Sequence, residues 1–286
     1  MEKVTRLLAV VERRESGALV LEKAVALARR FGARVDLMMA DPTLATDLSI
    51  LCRVMKYDEV VLSSQHRGQM PTHELILRRT LETRPDLVIK EPASAHPQHG
   101  WTLDDNDWQL ANECPAPVLL VRHRRWAIPV RFAAAVDVSD RDTASLARSI
   151  LHTAGFLAMG VHGSLDILYS EREQHDEALR MERAVMLAQL VREFHVGCER
   201  IQVFTGEPRE VLPPLLAARQ YDVLVIGAQS RQTGLHAQRG GTVSRLIEAT
   251  DGDVVLVKSP APGIFDYGAG NSSAREQRSD HLEQFV

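Results

Sequence analysis

Cysteine is scarce in this chain, and its spacing argues against both disulfide-rich and zinc-binding domains. Only Cys52, Cys114 and Cys198 occur among 286 residues, and no two of them form a CxxC motif. Structural zinc sites and disulfide frameworks need several cysteines at close, regular spacing. We therefore expect no metal site and interpret the three thiols as buried or inert.

Long apolar runs and large basic clusters are also missing. No segment approaches the roughly 20 apolar residues of a membrane-spanning helix, and residues 1–8 lack the apolar core of a signal peptide. The formal net charge is −4, and the one basic cluster, Arg122–Arg125, is interpreted as a solvated linker. Nucleic acids and anionic membranes require clustered Lys and Arg. We expect a cytoplasmic protein that binds neither nucleic acid nor membrane.

Familiar catalytic motifs are absent as well. The sequence contains neither a GxxxxGK[ST] loop nor a GxGxxG fingerprint, and the Ser63–His66 segment has no surrounding GxSxG elbow. His96 and His99 lie close together near Trp101, without a third candidate metal ligand. No catalytic residue and no metal ligand is predicted.

What the sequence does contain is a regular alternation of short apolar runs and amphipathic segments. The apolar runs at residues 7–11, 35–38, 60–62 and 87–89 predict strands, and residues 18–31, 44–55 and 73–81 between them predict helices. Continuous apolar strands separated by helices are typical of a parallel sheet that is covered on both faces. The predicted fold class is α/β, with doubly wound, mostly parallel sheets.

The same series of elements then repeats. Strands are predicted at residues 132–137, 165–169, 201–204, 223–226 and 254–257, with helices at 144–159, 177–194, after Glu207-Pro208 and from Thr242. Asp86-Leu87-Val88-Ile89 matches Asp222-Val223-Leu224-Val225 at an offset of 136, and residues 117–122 match 253–258 at the same offset. A repeated order of elements in a fixed register indicates duplication. We predict two tandem domains, residues 1–125 and 130–260, followed by a disordered tail at 261–286.

One loop of the second domain carries candidate ligand-binding residues. The strand that ends at Ile226 runs into Gly227, Ser230 and Arg231, and Gly240-Gly241-Thr242-Val243 then opens a helix. Ligands of open parallel sheets bind at the carboxyl ends of strands, where helix N-termini present backbone N–H groups to anions. Glycine permits close approach of a phosphate, and Thr242 is expected to cap the helix and to donate to a phosphate oxygen. The alternative interpretation is that the loop keeps its shape for stability, or for a different ligand, and has lost tight affinity for a nucleotide.

Several segments of the second half together resemble the universal stress protein family. These are AVDVSD at the first strand, GEPREVL before a helix, YDVLVIG before the glycine-rich loop, and the closing VVLVK strand. The resemblance implies an ATP site in which Gly227, Gly241 and Thr242 occupy the family's loop positions and Asp137 holds the adenosine. The sequence departs from the family's pattern because Ser230 replaces a glycine and the loop is one residue longer. Single-domain members pair through their last strands, so the resemblance also implies an intramolecular pseudo-dimer and the capacity to form a homodimer.

The first half has lost this loop. At the repeat offset of 136, Glu91 replaces Gly227, and Asp104-Asp105-Asn106 replace Gly240-Gly241-Thr242. Carboxylates at a helix N-terminus bond to the N–H groups that a phosphate would use, and they repel the phosphate. The first half is therefore expected to bind no nucleotide. Its DWxL and CPxPV segments, at residues 107–110 and 114–118, resemble those of tandem, E-type family members.

Three functions remain open at this point. The first is a non-catalytic stress-response protein whose second domain binds ATP or a similar nucleotide. The second is a weak nucleotide hydrolase, although Asp137-Val138-Ser139-Asp140 does not match the SGGxDS-type loop of related ATP-splitting enzymes. The third is a scaffold, or a binder of small apolar ligands, that uses no nucleotide.

Overall fold

A computed structural model describes residues 4–39, 42–64, 72–92, 102–139, 141–171, 177–193, 199–228 and 241–258. The tail predicted at 261–286, the histidines at 96 and 99, and Cys198 lie outside these ranges. The boundaries of the two tandem domains stay a prediction.

The first half alternates strands and helices in the predicted order. Its elements are β1 (Arg6–Val11), α1 (Arg14–Phe31), β2 (Arg34–Met39), a 3-10 turn (Pro42–Leu44), α2 (Ala45–Met55), β3 (Val60–Ser64), α3 (Thr72–Thr83), β4 (Leu87–Lys90), α4 (Asp105–Glu113) and β5 (Val118–Leu120). Helix α1 ends at Gly32, whose positive φ of 64° closes the helix in a conformation that glycine adopts without a Cβ penalty.

The second half repeats this order with longer middle elements. It contains β6 (Arg131–Ala135), α5 (Arg141–Gly160), β7 (Ser164–Glu171), α6 (Glu177–Glu193), β8 (Arg200–Thr205), α7 (Pro208–Arg219), β9 (Val223–Gly227), α8 (Thr242–Ala249) and β10 (Asp253–Val257). The apolar runs became strands and the amphipathic segments became helices, as their periodicity predicted.

All ten strands form one sheet in the order β3-β2-β1-β4-β5-β10-β9-β6-β7-β8. Within each half the strands are parallel, and the one antiparallel contact in this sheet joins β5 to β10. The sheet is covered by helices, and buried side chains form apolar clusters on its two faces. The predicted α/β class with a mostly parallel sheet is confirmed.

The register of β5 against β10 is symmetric. Leu119 lies opposite Val255, and its neighbours Val118 and Leu120 lie opposite Leu256 and Val254. Because 119 and 255 differ by the repeat offset of 136, each residue faces its own counterpart at this pair. A local two-fold axis therefore passes through Leu119 and Val255 and relates the two halves.

A pair of equivalent carboxylates repeats across that axis. Asp86 accepts a hydrogen bond from the backbone N–H of Arg6 at 3.0 Å, and Asp222 accepts one from that of Arg131 at 2.9 Å. Each aspartate precedes the fourth strand of its half and bonds to the start of the first strand. The side-chain contacts thus repeat along with the order of strands.

Arg122 corrects one expectation. Residues 122–125 were interpreted as a solvated linker, but the Arg122 side chain is only 3% exposed and donates to the backbone oxygen of Ile247 at 2.6 Å. Burial lowers the pKa of Arg122 to about 10. This residue packs the end of β5 against α8, whereas His123 and Arg125 do lie at the surface. In the described part of the chain, every helix is too short or too polar to cross a bilayer.

Candidate functional site

The second half has its candidate site where the strand order reverses. Strand β6 lies between β7 and β9, and the chain moves from β6 to β7 on one side and from β9 to β10 on the other. Open parallel sheets bind ligands at the carboxyl edge of such a switch point, because the two following loops diverge and leave a crevice. The residues that follow β6 and β9 therefore form the candidate site.

Strand β9 ends in a tight contact with a helix. A Cβ on Gly227 would lie 2.5 Å from Leu146 Cδ2 of α5, so the glycine permits close packing of strand and helix. Its predecessor Ile226 is buried in the core and packs on the opposite face of the sheet. The sequence predicted a glycine here for ligand approach, and the described contact gives it a packing role as well.

The N-terminus of α8 is capped differently from the prediction. Gly241 is the N-cap residue, with φ −73° and ψ 177°, and within the described ranges no side chain accepts a capping hydrogen bond there. Thr242 is thus the first helical residue, and the expectation that its hydroxyl caps the helix is wrong, because the helix starts one residue earlier than a threonine cap requires. Val243 is partly buried against the core. The helix N-terminus carries partial positive charge and backbone donors that suit an anion.

Asp137 lies at the carboxyl end of β6 and is exposed. Its Oδ1 accepts a hydrogen bond from the backbone N–H of Ser139 at 2.9 Å, which fixes the loop after β6. Ala134 pairs with Val225 across the two strands, so Asp137 comes level with Ala228, three residues further along each chain. Asp137 and the end of β9 are therefore neighbours at the crevice.

The sequence patterns did not predict two further charged groups at this edge of the sheet. Glu171, the last residue of β7, accepts a hydrogen bond from the Arg183 guanidinium of α6 at 2.7 Å, and both side chains are buried. Burial raises the pKa of the adjacent Tyr169, Arg183 opposes the rise, and Asp137 adds to it. The signal was present in the sequence, since Arg183 lies at helical spacing from the buried Leu187, Leu190 and Val191.

The predicted site residues divide into two groups. The structure brings Asp137, Ile226, Gly227, Gly241, Thr242 and Val243 to the same half of the sheet, whereas Ser230, Arg231 and Gly240 lie outside the described residues. Among the described residues, no group of three or more His, Cys, Asp or Glu side chains could hold a metal ion.

The equivalent edge of the first half contains a cleft of about 290 Å³, and the charged residues Glu12, Arg13 and Lys90 are part of its lining. Lys90, the counterpart of Ile226, donates to Asp107 Oδ1 at 2.6 Å and lies 3.6 Å from Glu12 Oε2. Arg13 contacts Glu91 at 3.1 Å, and Glu91 is the counterpart of Gly227. In the first half, charged residues thus occupy the positions equivalent to Ile226 and Gly227, and their charges neutralise one another.

The first-half helix is capped by its own acid, as the sequence predicted. Asp104 is the N-cap of α4 and accepts from the backbone N–H of Asp107 at 2.8 Å. Burial disfavours the charged form of Lys90, but the carboxylates of Asp107 and Glu12 outweigh it, and the pKa of Lys90 is raised. The N–H groups that a phosphate would approach face carboxylates, so this cleft does not suit an anion.

Comparison with known proteins finds a family match for the second half. Residues 135–258 match the model of the universal stress protein family. Over 204 residues the chain is 22% identical to universal stress protein E of Salmonella typhi, and over 192 residues it is 24% identical to a homolog from Haemophilus influenzae. These alignments cover 65% and 60% of this chain, and the chain spans only 64% and 62% of the relatives' lengths.

Solved structures with the same arrangement cover nearly the whole chain. A functionally unknown protein from Pseudomonas aeruginosa PAO1 aligns with a TM-score of 0.73 and 22% identity, covering 90% of this chain and 93% of that one. A universal stress protein from Archaeoglobus fulgidus DSM 4304 aligns with a TM-score of 0.65 and 15% identity, covering 90% and 97%. At these identities the likeness shows the fold.

Proposed function

Because residues 135–258 match the universal stress protein family, we propose that this chain is a non-catalytic stress-response protein whose second half binds ATP or a similar nucleotide. The first half serves as its intramolecular pairing partner, joined through β5 and β10 in a pseudo-dimer. We place the two domains at residues 1–125 and 130–260.

One observation supports this proposal more than any other. It is the contrast between the N-terminus of helix α4 in the first half and that of helix α8 in the second half. In the first half, Asp104 caps α4, and Lys90 in the lining of the cleft pairs with Asp107. In the second half, the N-cap of α8 is Gly241, which has no side chain to cap the helix, and no other described residue is recorded as its cap. An anion at α8 would meet backbone donors and the positive end of the helix, without a carboxylate at the cap position.

The remaining site residues take roles that follow from their positions. Asp137, exposed beside the end of β9, would accept from the hydroxyl or amine of a nucleoside. Gly227, Gly240 and Gly241 would let the backbone approach the phosphates, and Thr242 would donate a hydroxyl. Ile226 and Val243 would form the apolar floor, with Ser230 and Arg231 in the loop between them.

Isothermal titration calorimetry with ATP tests the site with two different substitutions of Gly241. The backbone angles of Gly241 suit any residue, so Gly241→Ala should fold normally and keep its affinity within about twofold. Gly241→Asp introduces the first-half chemistry and should weaken binding by at least about tenfold, or ~1.4 kcal/mol. Relative to glycine, the same aspartate should stabilise α8 by about a few tenths of a kcal/mol, so a fall in affinity with unchanged or higher thermal stability cannot be ascribed to misfolding.

Equal ATP affinity in wild type and Gly241→Asp would refute the placement of the site. Failure of the wild type to bind ATP, ADP or AMP would refute the nucleotide proposal itself. The absence of hydrolysis is checked separately by incubating bound ATP for hours, since accumulation of ADP would favour the weak hydrolase.

A second candidate, binding of a small apolar ligand, is favoured by a cavity in the first half. This space of about 320 Å³ lies between α1 and α2, and its lining includes Val11, Leu44, Leu48, Leu51 and Val54. Native mass spectrometry of the purified protein distinguishes the candidates, because an adenine nucleotide and an apolar ligand would add different, identifiable masses.

A further inference from the structure

A buried ion pair crosses the boundary between the two halves. Lys23 belongs to α1 of the first half, and Asp253 is the first residue of β10 in the second half. Lys23 Nζ lies 2.8 and 2.7 Å from the two carboxylate oxygens, and the two side chains are 4% and 1% exposed. Charges so deeply buried are costly unless each has its partner.

Asp253 takes its other hydrogen bonds from the segment that leaves the first half. The backbone N–H of Arg122 donates to Oδ1 at 2.8 Å, and Trp126 Nε1 donates to Oδ2 at 2.7 Å. Lys23 Nζ also donates to the backbone oxygen of Arg122 at 3.3 Å and lies 5.6 Å from the centre of the Trp126 ring. The carboxylate of one half is therefore satisfied by groups from the other half and the linker.

The two-fold-related position carries no such pair. The buried positions Val20, Leu21, Ala24, Leu27 and Ala28 of α1 recur in α5, at a constant offset of 130, as Ile150, Leu151, Ala154, Leu157 and Ala158. That offset makes Thr153 the counterpart of Lys23. Just before β5, the repeat offset of 136 makes Pro117 the counterpart of Asp253. The ion pair thus breaks the symmetry of an otherwise repeated interface.

We propose that the Lys23–Asp253 pair selects the pairing of a first half with a second half, which are the unlike halves. It disfavours association of two copies of this chain through two first halves or two second halves, which are the like halves. If two second halves met through β10, each Asp253 would face Thr153 of the other copy. If two first halves met through β5, each Lys23 would face Pro117. Both arrangements bury unpaired charges, and penalties of this kind are how interfaces reject wrong partners.

Burial of both charges limits what the pair adds to stability and raises the cost of separating the two partners. Burial raises the pKa of Asp253 and lowers that of Lys23, and in each case the opposite charge offsets burial only in part. A pair that does not fully recover its desolvation adds little to folding, yet removing one partner leaves the other buried without compensation. This inference depends on the observed pairing of β5 with β10 and does not depend on nucleotide binding.

Single cysteines on the two-fold axis can report like-half pairing in the full chain. Because Leu119 faces Val255, a lone cysteine at either position has no intramolecular partner, but it would face itself across a like-half interface. The host protein carries Cys52→Ser, Cys114→Ala and Cys198→Ser, to which Val255→Cys or Leu119→Cys is added. The amount of disulfide-linked dimer is measured on non-reducing gels after mild oxidation at about 1 mM protein, a concentration comparable to that of tethered domains.

In the host with the native pair, we expect only trace dimer. Lys23→Met with Asp253→Asn removes both charges and should increase the cross-linked dimer at least tenfold at either reporter position. The charge swap Lys23→Asp with Asp253→Lys again places opposite charges across unlike halves, although it loses the hydrogen bonds from Arg122 N–H and Trp126 Nε1, and it should lower the dimer below that of the neutral variant. Leu119→Cys with Val255→Cys is the control, and it should give an intramolecular disulfide and no dimer.

Cross-linking that stays within twofold across these variants, while the control forms its disulfide, would overturn the proposal. Circular dichroism melts accompany each variant. If the charge swap does not fold, the neutral variant decides alone: a dimer at least tenfold above that of the native pair supports the proposal, and a dimer within twofold of it contradicts the proposal.

Discussion

Replacing Lys90 with methionine tests whether the first-half cleft is held together by its own charges. The ammonium lies 2.6 Å from Asp107 Oδ1 and 3.6 Å from Glu12 Oε2, and the side chains of Lys90 and Asp107 are 4% and 0% exposed. Lys90→Met leaves two carboxylates near each other in a buried place. Removing one partner of a buried pair costs about 3–5 kcal/mol, and we expect a loss of that size in the free energy of unfolding.

A matched double variant isolates the charge from the packing. Lys90→Met with Asp107→Leu replaces the pair by apolar side chains, and such replacements are often neutral or stabilising. We expect the double variant to recover at least about half of the loss. Urea unfolding followed by far-UV circular dichroism measures both variants under the same conditions.

The pKa of Lys90 adds a pH dependence with a definite sign. Although burial opposes the charge, Asp107 and Glu12 raise the pKa of Lys90 above its ordinary value of 10.5. The stability from this pair is therefore fully present below about pH 10.4, the unfolded value, and is lost as the pH rises through the folded pKa. The difference between wild type and Lys90→Met should be constant from pH 7 to pH 10 and shrink above that.

A loss below about 1 kcal/mol for Lys90→Met at pH 7 would refute this reasoning, as would a double variant no more stable than the single one. Either result would mean that water or a neighbouring group replaces the ammonium without cost.

The remaining predictions concern the two helix N-termini and the second-half edge. Asp104→Ala should cost about 0.5–2 kcal/mol in urea unfolding because it removes the bond to Asp107 N–H, while alanine at the exposed Asp105 should cost less. Gly227→Ala should lower the free energy of unfolding by about 1–3 kcal/mol because its Cβ meets Leu146, and truncating Leu146 to alanine should abolish that penalty. If the losses of the two single variants simply add in the double variant, the contact is contradicted. Asp137→Asn should weaken ATP binding more than tripolyphosphate binding in calorimetry, whereas asparagine at the exposed Asp251, at the opposite end of the sheet, should change neither.

Much of the fold was readable from the sequence because burial leaves a periodic trace. The runs at residues 7–11 and 223–226 are apolar without interruption, and both became central strands that are buried on two faces. The constant offset of 136 between Asp86 and Asp222 identified the repeat, and the same pair forms equivalent hydrogen bonds. The acids of the first-half loop likewise predicted the cap that Asp104 provides.

Charge partners were not readable, since periodicity reports that a residue is buried and never with which residue it pairs. Arg122 looked like part of a solvated linker until the tertiary structure placed it against α8. Lys90 and Asp107 are 17 positions apart, and Lys23 and Asp253 are 230 apart. Such pairs form only after the sheet brings distant strand ends and helices together. The sequence by itself thus determined the α/β class, the repeated order of elements and the acidic cap of the first-half loop. The tertiary structure decided which buried charges neutralise each other, because the cost of burying a charge is offset only by a group at hydrogen-bonding distance.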